Sequence, residues 1–129
     1  MTVTPLYAGL LALLYLFLTF RVIRFRRGRR VDMGDGGHAL LQRYIRAHAN
    51  FAEYAPLGLI LLFLLEQGLW SKWLVHALGV MLVLGRLFHA WAFSVVELRE
   101  WPRVAGMVLT TTMLGIAGAL CLARGLGLA

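Results

Sequence analysis

Four stretches of this chain are too long and too apolar to be closed inside a core of 129 residues. The first, Val3 to Phe20, carries no charge. It can span a hydrocarbon layer when Arg21 and Arg24 snorkel to the interface. The second includes Leu57-Gly-Leu-Ile-Leu-Leu-Phe-Leu-Leu65, and the third is apolar except for His76, Arg86 and His89. The fourth has no internal charge. Hydrophobic residues make up 60% of the chain and charged ones 15%, against about half and a quarter in soluble domains. That surplus must meet lipid. The expected fold is all-α, an integral membrane four-helix bundle formed by a single domain over 1–129. Its helices should run over about 3–26, 39–65, 72–96 and 103–123. Pro56 falls inside the second, where neighbouring helices in a membrane can satisfy the carbonyl that proline frees.

The net charge of +7 would suggest nucleic acid in a soluble protein, but no recognition motif supports that partner. The arginines crowd between Arg21 and Arg46, between two apolar runs. This pattern suits a loop at an anionic membrane face. The positive-inside rule makes the loop cytoplasmic and puts both termini outside. Glu66 to Trp73 should form the short outer turn. Asp32-Met-Gly-Asp35-Gly-Gly reads as a loop in a helix N-cap region, lacking the rest of a calcium loop or a phosphate loop. The single cysteine, Cys121, excludes an intrachain disulfide and reads as an inert apolar-run thiol. No cleavable signal peptide is expected, because the arginines follow the first apolar run.

Small residues recur on the fourth helix at Thr111, Gly115 and Ala119, with Gly118 beside them. Such a stripe permits close helix packing, within one subunit or between subunits.

The chemistry lies in Arg43-Tyr-Ile-Arg46-Ala-His48-Ala-Asn50-Phe-Ala-Glu53-Tyr54. At about 100° per residue, Arg43, Arg46, Asn50 and Glu53 share an arc of about 80°, with Tyr54 at its edge and His48 pointing away. A rise of about 1.5 Å per residue puts Asn50 and Arg86 both about 15 Å from the cytoplasmic helix ends, with His89 at about 10 Å. Each charged group at such depth costs on the order of 3 kcal/mol if it faces lipid. Arg46 or Arg86 can instead pair with Glu53 in a pocket open to the cytoplasm. A buried network that merely fixes helix register is one reading. Surplus cations, together with Asn50 and Tyr54, point instead to an anionic polar ligand. His48 alone reads equally well as an interior histidine. The spacing of His48, His76 and His89 gives no metal site, and Ser71 and Ser94 have no base nearby in sequence.

The motif Arg46-Ala-His48-x-Asn50-x-x-Glu53-x-x-Pro56 resembles the second-helix signature of the MAPEG family, the membrane-associated proteins in eicosanoid and glutathione metabolism. Gly85-Arg86-x-x-His89 looks like its third-helix motif, and Pro102-Arg103 sits where the family enters its fourth helix. Length, four spans and the basic first loop match as well. The Asp35-Gly-Gly loop and compact length look most like the small bacterial branch, which implies a bacterial inner membrane. The resemblance implies a homotrimer binding glutathione between subunits near the cytoplasmic side, with a lipophilic small molecule arriving from the membrane lipid. Carried over residue by residue, Arg46, His48, Asn50, Glu53 and Tyr54 hold the tripeptide. Arg86 and His89 belong to the same pocket. Arg103 faces the thiol, with Arg99 as the alternative because the segment between Phe93 and Pro102 departs from the family spacing.

Arginines can clamp the two glutathione carboxylates and Glu53 the ammonium. An adjacent arginine also lowers the thiol pKa and stabilises the thiolate. The resemblance therefore implies a glutathione transferase with peroxidase activity as a second reaction, using glutathione as co-substrate and no metal. Where many family members carry a tyrosine, this chain has Phe93, so a hydroxyl is missing. A non-catalytic lipid-binding or scaffold protein on the same fold is the alternative.

Overall fold

A computed structural model describes residues 2–68, 70–94 and 100–128. It contains α1 (Thr4–Arg29), α2 (Ala39–Gln67), α3 (Lys72–Ala92) and α4 (Glu100–Gly125). All four are long and apolar enough to cross a membrane. The protein is an all-α integral membrane protein.

Helix ends explain where the bounds differ from those expected. Pro5 stands in the first turn of α1, where its missing N–H has no helical partner to lose. Glu66 is not part of a turn. It remains in α2, and its carboxylate accepts from the Val3 amide and, at 2.9 Å, from the Thr4 amide. The last turn of α2 thus supplies the N-terminal acceptor that α1 lacks in its own sequence. The far end of α1 runs past residue 26 to Arg29 and stops at Arg30 in the left-handed region (φ 53°), with the Val31 amide reaching back to Arg26 O at 3.0 Å.

The aspartate loop does not cap α2. Asp35 Oδ1 accepts from Gly37 N at 2.9 Å, and His38 occupies the N-cap position without a side-chain bond. α3 ends at Ala92, earlier than the expected 96. Ser94 Oγ donates to Ala90 O at 2.6 Å, and Ser94 N bonds Trp91 O at 2.9 Å, closing the chain into a turn. Val95 and Val96 lie outside the described residues. α4 begins earlier than the expected 103, at Glu100, whose charge suits a helix N-terminus.

The closest helix pair is α3–α4. A Cβ placed on Gly106 would lie 2.6 Å from Gly85 O and 2.7 Å from His89 N, so the two backbones nearly touch. α1 packs on α2 and α3 and, among the described residues, does not reach α4. Leu11 and Leu18 of α1, Leu62 of α2, Leu82 of α3 and Met113 of α4 fill the interior. Tyr7 lies over Gly79, where any Cβ would run into the ring. The Tyr7 hydroxyl meets His76 Nδ1 at 2.9 Å and His76 O at 3.1 Å.

One alternative left open by the sequence is decided here, and one expectation changes. The stripe of Thr111, Gly115 and Ala119 faces outward, and Gly115 and Gly118 have no neighbour within 4 Å of a Cβ position. The contact inside the subunit uses Gly106, Thr110, Met113 and Ala117, which with Pro102 are the buried residues of α4. Arg21 does not snorkel outward either. Its guanidinium lies 4.1 Å from the Tyr44 ring centroid and donates to Ser94 Oγ, tying α1 to α2 and to the end of α3.

Candidate functional site

Arg86 is 1% exposed. Its place on α3 follows from the glycine before it: Gly85 lets α4 approach until Thr110 is within reach of the guanidinium. Arg86 Nε and Nη2 donate to Thr110 Oγ1 at 3.2 and 2.7 Å. Arg86 Nη1 donates to Asn50 Oδ1 at 2.7 Å and to Asn50 O at 3.4 Å. Met107 Sδ lies 3.8 Å from Nη2, and the Tyr54 ring centroid is 5.2 Å from Cζ. Three helices converge on one cation.

Every oxygen acceptor of Arg86 is neutral. Among the described residues no carboxylate lies within ion-pair distance of it. Thr110 Oγ1 is held by its own donation to Gly106 O at 2.9 Å, which turns the oxygen lone pairs toward Arg86. Neutral acceptors and an aromatic face can satisfy a buried guanidinium, but they leave its charge uncancelled. A protein interior tolerates that poorly unless a counter-charge comes close. Arg86 also uses Asn50 Oδ1, leaving the amide nitrogen of Asn50 as the group available to a ligand.

The other predicted residues separate into distinct positions. Arg46 Nη1 lies 3.9 Å from Glu53 Oε1, with side chains 58% and 52% exposed. This pair stands on the outer face of α2, one turn to either side of buried Asn50. Tyr54 is half-buried and bridges from that face toward Arg86. His89 is buried, 4.9 Å from the Phe93 ring, with its backbone against Gly106. Arg103 is half-buried at the start of α4. The spacing 103, 107, 110 puts it on the Thr110 face, two turns nearer the arginine-rich end. Arg99 lies outside the described residues.

His48 turns from the stripe toward α1. Its Nε2 is 3.1 Å from Thr19 Oγ1, and its ring stacks on Tyr15 at 4.8 Å. Tyr15 and Phe51 also line an open apolar groove of about 380 Å³ between α1 and α2, with Ala12, Ala55 and Pro56 among its walls. Alanines on both helices, and a proline ring in place of a longer side chain, leave this space.

Thr110 was missed by the sequence reading, which took its neighbour Thr111 as the informative threonine. The usable signal was register: Thr110 is four residues after Gly106 and seven after Arg103. Arg21 was missed because an arginine ending an apolar run is ordinarily an interface anchor. The role of Glu66 depends on the start of α1 lying beside the end of α2, which no local pattern encodes.

The MAPEG family model matches residues 4–123. The inner membrane protein YecN of Escherichia coli strain K12 is 42% identical over 108 residues, covering 84% of this chain and 81% of that protein. YecN from a second Escherichia coli strain matches to the same extent. With a match that reaches into all four helices and takes in the whole Arg46-to-Pro56 motif, the chain belongs to the MAPEG family.

Proposed function

We propose that this protein is a membrane-embedded glutathione transferase-type enzyme. It binds glutathione between the subunits of a homotrimer and conjugates or reduces lipophilic electrophiles. By likeness to YecN, whose name places it in the inner membrane, we assign it to a bacterial inner membrane with the arginine-rich loop cytoplasmic.

The observation that carries this reading is the Arg46–Glu53 pair. Both side chains are more than half exposed near the middle of a helix whose following turns, Leu57, Ile60 and Phe63, are exposed hydrocarbon. Ionised groups at that depth do not face lipid without a large penalty. A neighbouring subunit and a zwitterionic ligand together would cover them. Glutathione fits, because Arg46 can take a carboxylate, Glu53 the ammonium, and the Asn50 amide nitrogen can donate to a further oxygen. The thiol belongs toward Arg103, whose charge favours the thiolate. The thiolate then attacks the electrophilic atom of an apolar substrate and the leaving group departs. The α1–α2 groove offers such substrates an apolar path from the bilayer.

The test is calorimetric titration of detergent-purified protein with glutathione, followed by conjugation of an aromatic halide. Saturable binding, weakened at least tenfold in Glu53→Gln, supports the site. Ordered protein that gives no binding at millimolar glutathione overturns it. One observation favours a non-catalytic lipid-binding or scaffold role: Phe93 packs on His89 and presents no hydroxyl. Binding without conjugation would decide for that role.

A further inference from the structure

We infer that the outward face of α1 is a specific site for one anionic phospholipid, with its phosphate held by Arg24 and Arg27 and an acyl chain along Leu13, Phe17 and Phe20. This inference is independent of the glutathione reading.

Position is the first argument. At about 100° per residue, residues 13, 17, 20, 24 and 27 fall within an arc of about 80°. Leu13, Phe17 and Phe20 are 68%, 58% and 62% exposed, and Arg24 and Arg27 are exposed on the same face. An apolar strip about 10 Å long thus runs directly into two guanidiniums a single turn apart. That is the layout of a lipid, with hydrocarbon below and phosphate above.

Charge is the second argument. The other arginines of this helix end differ from these two. Arg21 is turned over Tyr44, 4.1 Å from its ring centroid, and also lies 5.7 Å from that of Phe17. Arg26 donates to Asp32 O at 3.0 Å. Arg29 lies on the opposite side of α1, and Arg30 is beyond its last turn. Among the described residues, Arg24 and Arg27 have no carboxylate within ion-pair distance. Favourable interaction with the α1 C-terminus and the positive-inside rule both account for basic residues here. Neither requires two of them to continue the aromatic strip. A phosphodiester held by two forked guanidiniums, with its acyl chain along the strip, accounts for that placement.

The experiment uses the full chain in detergent, offered phosphatidylglycerol, phosphatidylcholine or glycerol phosphate, with retention read by native mass spectrometry. Phosphatidylglycerol should be retained by the wild type and by Arg29→Gln/Arg30→Gln, and at least tenfold less by Arg24→Gln/Arg27→Gln, although both doubles remove the same charge. Phe17→Ala/Phe20→Ala should also lower retention with every charge in place. Equal loss in the two arginine doubles would make the effect diffuse electrostatics and overturn the site. Equal retention of phosphatidylcholine would make it an unselective annulus, and retention of glycerol phosphate a plain anion site; either result overturns the proposal.

Discussion

Arg86 Nη1 donates to Asn50 Oδ1 at 2.7 Å, joining the third-helix motif to the second-helix motif inside one subunit. The same guanidinium reaches Thr110 on α4 through two nitrogens. Thr110→Val removes that acceptor and leaves two charged donors buried. A loss of about 2 kcal/mol is expected, while Thr110→Ser should lose under about 1 kcal/mol. Unfolding in mixed micelles with rising anionic detergent measures both. Arg86→Lys should behave more like the valine variant than like the serine one, because a single ammonium cannot make the forked contacts.

Gly106→Ala is expected to destabilise by about 1–3 kcal/mol through overpacking, since its Cβ would meet Gly85 O and His89 N at 2.6 and 2.7 Å. Gly115→Ala should leave the subunit unchanged, having no neighbour within 4 Å. Gly115→Leu separates fold from assembly: if α4 packs on another subunit through its outward stripe, the oligomer dissociates while helicity stays. Light scattering and circular dichroism together read the difference.

Glu66→Ala removes the acceptor for the Val3 and Thr4 amides. A loss of about 1–2 kcal/mol is expected, in the range of a lost helix cap. Glu66→Gln should recover part of it, because its amide oxygen still accepts one bond. Hydrogen exchange at the first turn of α1 reports the effect locally.

Phe93→Tyr adds a hydroxyl beside His89, at the position where the resemblance puts a tyrosine in many family members. On the proposed function, glutathione conjugation is expected to rise several-fold with little change in stability. Unchanged turnover would show that the hydroxyl missing at Phe93 does not limit the proposed reaction.

Much of this arrangement of residues was legible in the sequence. The four spans follow from hydrocarbon length. Equal depth, about 15 Å by helix rise, matched Asn50 with Arg86, which are hydrogen-bonded. Periodicity separated His48 from the stripe, and its ring stacks on Tyr15 of α1. The unread parts depend on distant chain. Arg21 faces inward because Tyr44 and Ser94 offer a ring and an oxygen at its level. The α4 contact face runs through Gly106 and Thr110 rather than Thr111 and Gly115, because Gly85 of α3 sets where the backbones meet. Small residues were visible on both sides of α4, and sequence alone does not say which side another helix occupies.

The burial of Arg86 also constrains how the chain enters the membrane. Alone in lipid, α3 carries an arginine whose insertion costs about 3 kcal/mol, and two of that arginine's three nitrogens bond to Thr110, on a helix synthesised later. Asn50 is already available from α2 when α3 emerges. The hydrogen bonds that satisfy Arg86 are therefore complete only when α4 arrives, and the last two helices are expected to settle in the bilayer together. A chain truncated after Phe93 should leave α3 poorly inserted even though α3 itself is intact.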